Sequence, residues 1–105
     1  MLAELPLPLT KNEAAEAKEC VMPLLLDVIK NVTETEEGYL LDFGRDGEDL
    51  LLLGQLLRIE RVLNPFLRIC LIMESNEGPL RLGLEGPRGT KDFLKMEYGL
   101  NRWGF

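Results

Sequence analysis

The residues best suited to chemistry fall in one stretch, RIERVLNPFLRICLI from Arg58 to Ile72, where a glutamate, three arginines and a cysteine interrupt a run of leucine, isoleucine and valine. On a helical wheel of about 100° per residue, Leu52, Leu56, Ile59 and Leu63 share a narrow arc with Leu53 at its edge, and Glu60 falls inside that arc. Arg58 and Arg61 point the opposite way, toward solvent. A carboxylate aimed at a core is costly unless it is paired or hydrogen-bonded, and burial alone raises its pKa. Glu60 is therefore the first candidate for a catalytic role, as a pocket acid that transfers a proton or holds a cationic or hydrogen-bond-donating group. The competing reading is a structural carboxylate near its helix end, bonded to backbone amides or to an arginine from another element.

Three further residues are candidate ligand-binding positions. Cys70 follows Arg68 by two places, and a neighbouring guanidinium can lower a thiol pKa, but no base accompanies the pair. A small apolar filler, or a thiol covered by a partner chain, is the favoured reading of Cys70. Arg88 lies in GPRGT ahead of a predicted helix, where backbone amides can hold an anion, although an ordinary helix-entry turn explains the same residues. Cys20 reads as core. The chain contains no histidine, which removes the usual general base and the commonest transition-metal ligand. With no C-x-x-C spacing, no glycine-rich nucleotide motif, no nucleophile elbow and no metal-spaced carboxylates, neither a metal nor a cofactor is expected.

These residues must be positioned by one domain, residues 1–105, since 105 residues support one hydrophobic core. Eighteen acidic against 12 basic residues give a net charge of -6, a field that repels a phosphate backbone, and Arg58, Arg61, Arg68, Arg81 and Arg88 are interleaved with acidic or apolar residues rather than clustered. Nucleic acid is not an expected partner. No run reaches the roughly 18 apolar residues of a membrane span, and no basic-then-apolar leader opens the chain, so a cytoplasmic protein with reduced thiols is expected and a membrane partner is not.

Two prolines make residues 1–9 an extended lead-in. Thr10 and Glu13 form a capping box for a first helix over about 11–30, lined by Ala14, Ala17, Val21, Leu24, Leu25 and Val28, with a kink or break near Cys20 to Met22 from Pro23. NVTETEEGYLLDFG reads as a hairpin in which Gly38 supplies a positive φ. Asp46 is the expected N-cap of a second helix over about 47–63, with Asp49 at its third position, and Asn64-Pro65 ends it. From Phe66 the period becomes two. Leu67, Ile69, Leu71 and Met73 then face one side of the sheet and Arg68, Cys70 and Ile72 the other, and the strand returns through Leu80, Leu82 and Leu84. Placing Arg68 opposite Glu85 and Ile72 opposite Arg81 gives a charge-paired register. A third helix spans about Thr90 to Tyr98, and NRWGF (101–105) completes an aromatic tail that begins at Gly99. The expected fold is α+β: a two-layer, four-stranded, mainly antiparallel sheet with three helices in the order α-β-β-α-β-β-α.

The segment from Leu50 to Leu94 resembles a group of small uncharacterised bacterial proteins that share a helix ending in Glu-Arg-x-Cys-Cys-Pro-Phe, a strand, a Gly-Pro-Leu strand and a Thr-Gly-Pro-x-Gly-x-x-x-Phe-Leu helix start. Glu60, Arg61, Pro65, Phe66, Gly86, Pro87, Gly89, Phe93 and Leu94 match that pattern. The adjacent cysteines, which would imply thiol or soft-metal chemistry, are Leu63 and Asn64 here. The resemblance supports the fold and points to Glu60 without naming a reaction. On this reading the chain is a non-catalytic module that binds a partner or itself, as a homodimer, through an apolar sheet face and the aromatic tail, and the alternative is a small-molecule pocket protein or enzyme using Glu60 as acid or base with Arg68 or Arg88 orienting an anion.

Overall fold

The computed structural model describes residues 5–45 and 47–105. Helix α1 (Lys11–Val28) starts from the capping box: the Thr10 amide donates to Glu13 Oε1 at 3.0 Å and the Glu13 amide to Thr10 Oγ1 at 3.2 Å. It runs unbroken through Pro23. Pro23 and Glu19 are both exposed, so the hydrogen bond that proline deletes lies on the solvent face, where water replaces it. The helix ends two residues before the expected boundary because Ile29 is extended and the Lys30 amide already donates to the Asp42 carbonyl of the sheet.

Strands β1 (Asn31–Glu34) and β2 (Gly38–Asp42) form the first hairpin. Gly38 is needed for a reason other than positive φ: a Cβ there would overlap the Leu84 carbonyl oxygen, so only glycine lets β2 approach its neighbour. Helix α2 (Leu50–Leu63) starts three residues later than the pattern suggests. Gly47 adopts a φ of 74°, outside the helical region, and Asp49 becomes the N-cap residue without a side-chain cap bond. The expected N-cap, Asp46, lies outside the described residues. Strands β3 (Arg68–Met73) and β4 (Leu80–Glu85) follow, then helix α3 (Thr90–Glu97) and a 3-10 turn at Leu100–Trp103.

The sheet is antiparallel throughout, in the order β1-β2-β4-β3. Arg68 stands opposite Glu85, Cys70 opposite Gly83 and Ile72 opposite Arg81, the register the charge pattern implies. The ion pair itself forms elsewhere: Arg81 reaches Asp42 at 3.1 Å and Glu74 at 2.9 Å, while Glu85 accepts from the Thr35 hydroxyl at 3.2 Å. Tyr39, Leu41, Leu80, Leu82 and Leu84 pack beneath the helices with Ala14, Val21, Leu25, Leu53, Leu56 and Ile59. The three helices thus cover one sheet face and leave the other open, as an α+β two-layer domain. The aromatic tail packs on its own domain, with Phe105 edge-on to Tyr39 at 5.2 Å and Arg102 donating to the Leu26 carbonyl at 2.6 Å. Among the described residues no helix is long and apolar enough to cross a membrane.

Candidate functional site

Glu60 lies where three helical elements meet. The leucine arc that turns α2 toward the core carries it inward, three residues before the helix ends, and its side chain is 0% exposed. Both oxygens are occupied. Oε1 accepts from Lys18 Nζ of α1 at 2.9 Å and from Asn64 Nδ2 at 3.0 Å, and Oε2 accepts from the Tyr98 hydroxyl, just past α3, at 2.9 Å. Lys18 also donates to Glu97 at 2.7 Å, and its ammonium sits 6.0 Å from the centre of the Tyr98 ring. The partners of Glu60 are therefore a lysine, a phenol and an amide, in place of the backbone amides or arginine expected for a structural carboxylate. Asn64 adds a second closure, since its backbone amide donates to the Glu60 carbonyl at 2.8 Å and caps the helix.

The electrostatics suppress reactivity. Burial acts to lower the Lys18 pKa, but hydrogen bonds and charge from Glu97 and Glu60 outweigh it, and the ammonium is held above the usual lysine value. Burial, with the adjacent Glu60 charge, pushes the Tyr98 hydroxyl well above the usual tyrosine range. Near neutral pH the lysine stays charged and the phenol stays protonated, so neither is a base or a nucleophile. An open groove of about 280 Å³ passes over Lys18 between Ala15, Met22, Leu63 and Glu97, but Glu60 does not line it.

The other candidate residues are not brought to Glu60. Arg68 and Cys70 are exposed on the open face of the sheet, opposite the helix layer, and Arg68 makes no ion pair among the described residues. Arg88 is exposed in the turn before α3, beside a cavity of about 390 Å³ whose lining includes Lys91 but also Glu36, Glu37 and Asp92, a mixed field for an anion. Lys91 is already paired with Glu34. Cys20 is exposed, contrary to the core position expected, because it falls off the Ala14, Val21, Leu25 arc. Among the described residues no group of three or more His, Cys, Asp or Glu side chains comes together to hold a metal. Phe66 and Phe93 meet edge-on at 5.4 Å over Pro87 and Gly89, so the Asn-Pro-Phe and Gly-Pro-Arg-Gly segments share one corner.

Sequence reasoning missed Lys18 and Tyr98. On the α1 wheel Lys18 falls between Leu25 and Met22, at the border of the core arc, and Tyr98 follows the buried Leu94 by one helical turn.

The second distinctive region is the border of the sheet at β3. Among the described residues this strand pairs with β4 alone, and its helix-side residues are incompletely covered: Leu71 is 37% and Met73 69% exposed. A groove of about 250 Å³ runs between β3 and α2, lined by Leu57, Arg61, Leu67, Ile69 and Leu71, and Leu50, 40% exposed, lies on the same flank of the helix. Compared with known proteins, the chain matches no family model, no curated protein and no solved structure.

Proposed function

We propose that the chain is a non-catalytic binding module that associates with a second copy of itself through the β3 border of its sheet. The observation that supports this reading is the position of β3 at the edge of the sheet, with Leu71 and Met73 exposed on it. A sheet edge offers a row of free amides and carbonyls, and proteins that stay monomeric shorten it, charge it or cover it. The opposite edge has those safeguards: β1 is four residues long, Asn31, Thr33 and Glu34 are exposed and polar, and Glu34 is paired with Lys91. β3 is six residues long, RICLIM, with charge only at Arg68. The open sheet face is a weaker candidate than its composition suggests, since Leu40 and Ile72 are half-buried and the Arg81 ion pairs border them.

An acid or base role for Glu60 has no supporting observation, because its oxygens are filled and its side chain is inaccessible. Exposed free thiols at Cys20 and Cys70 fit a reducing compartment, which is the basis for placing the module in the cytoplasm. Nucleic acid remains outside the proposed partners, since Lys18, Arg81 and Lys91 are each engaged by carboxylates. Light scattering across a range of concentrations tests the reading. A mass of twice the 11.9 kDa chain is expected, and a mass of one chain at the highest concentrations refutes it.

A further inference from the structure

We infer that two copies join β3 to β3 in antiparallel fashion about a two-fold axis at Leu71, forming one continuous eight-stranded sheet. This inference rests on the self-association reading and adds the register, which the side chains of β3 specify. In an isologous antiparallel pair, residues directly opposite share a face, and each contact occurs twice. With the axis at Leu71, Leu71 meets the partner's Leu71, Ile69 meets the partner's Met73, and both pairs lie on the helix side. On the open face Cys70 meets the partner's Ile72, and Arg68 meets the partner's Glu74.

The last pair carries the argument. Arg68 is exposed and makes no ion pair among the described residues, and Glu74, one residue past β3, keeps an exposed carboxylate while touching Arg81. Moving the axis one residue either way, the smallest shift that keeps the helices of both copies on one side, destroys the match. Centred on Cys70, Arg68 would face the partner's Ile72, and centred on Ile72, Glu74 would face the partner's Cys70. Only the Leu71 axis places opposite charges face to face, twice, at the two ends of the new ladder. The same axis brings the exposed Leu71 and Met73 of each copy together, and the α2–β3 grooves of the two copies then flank the joint.

Charge reversal tests the register. Arg68→Glu and Glu74→Arg each create two like-charge contacts, and each is expected to weaken dimerisation by roughly tenfold or more. The double variant restores the opposite-charge pairs and is expected to recover most of the affinity in sedimentation equilibrium. Both positions are exposed, and Arg81 keeps Asp42 when Glu74 is replaced, so the fold survives. An independent measurement uses Leu71→Cys with Cys20→Ser and Cys70→Ser. Residues on the axis lie about 4.5–5.5 Å apart between Cα atoms, within disulfide reach, whereas Cys70 and its symmetry mate lie on a diagonal about 7–8 Å apart. Mild oxidation is expected to cross-link the Leu71→Cys variant and to leave a variant with Cys70 as its only cysteine uncross-linked. A dimer indifferent to both charge reversals, or one cross-linked through Cys70 instead, overturns the register and leaves self-association standing. A monomer at every concentration overturns both.

Discussion

At Glu60, three donors from two other helical elements and the helix end fill both carboxylate oxygens, whereas β3 forms a sheet edge on which two large apolar side chains, Leu71 and Met73, are only partly covered. The buried cluster is the more conspicuous by residue type. Charge, a phenol and a lysine are the usual components of an active site, yet here burial and the neighbouring carboxylates keep the phenol protonated, and the carboxylates keep the lysine charged. The β3 border contains no unusual residue type and leaves far more interaction unsatisfied. The difference teaches that function is better sought where a fold leaves groups unpartnered than where polar residues gather, because a saturated cluster has no interaction left to offer a ligand.

The largest effect expected comes from breaking the cluster. Lys18→Met leaves the Glu60 charge buried without its cation, and uncompensated buried charge costs about 3–5 kcal/mol. That is a large share of the roughly 5–15 kcal/mol that stabilises a domain. Adding Glu60→Gln removes the charge, so the double variant should be more stable than Lys18→Met alone in urea unfolding. A loss below about 1 kcal/mol for Lys18→Met would show that the cluster does not pin the three helices together.

Next in size is Tyr98→Phe. Glu60 Oε2 has the Tyr98 hydroxyl as its donor, and losing a hydrogen bond to a charged acceptor costs about 1.5–3 kcal/mol. The same residue gives the cluster an alkaline limit. Tyr98 and Lys18 are both held above their ordinary pKa values in the folded chain, so folding binds protons that the unfolded chain releases first. Their contribution is complete below about pH 10, where the unfolded groups remain protonated, and is lost as pH rises through the folded values. The free energy of unfolding should be level from pH 8 to about pH 10 and then fall by up to about 1.4 kcal/mol per pH unit for each of the two groups, less steeply in Tyr98→Phe.

How far these regions were legible differs for physical reasons. The alternation from Leu67 to Met73 and from Leu80 to Leu84, with Arg68 and Glu85 in matching positions, predicts the β3–β4 register, because a strand that slips by one residue turns its apolar set outward. The wheel likewise turns Glu60 inward. Asn64 is one turn away, but its partners Lys18 and Tyr98 lie 42 and 38 positions away, a distance over which local periodicity carries no information. The apolar neighbourhood of Cys20 suggests core, but its angle on the wheel, off the Ala14, Val21 and Leu25 arc, leaves it exposed. Leu71 and Met73 have the same alternation as the partly buried Ile69, and nothing local reveals that the helix layer stops short of them.

The smallest effect on the fold, and the sharpest test of the contrast, is expected from Met73→Lys. Met73 is 69% exposed, so its replacement should change the intrinsic stability of one chain by no more than about 0.5 kcal/mol. Lysine on a strand edge is also one of the devices that keep edges from pairing. If the β3 border joins two copies, the wild-type chain gains stability by mass action, and its melting temperature rises with protein concentration. Met73→Lys should remove that dependence while matching the wild type at high dilution. Lys18→Met should do the reverse, lowering the melting temperature at every concentration and leaving its concentration dependence in place, since no residue of the cluster belongs to β3. Should both variants shift the curves in the same way, the two regions are not separable, and the division between a region that holds the fold and a region that binds fails.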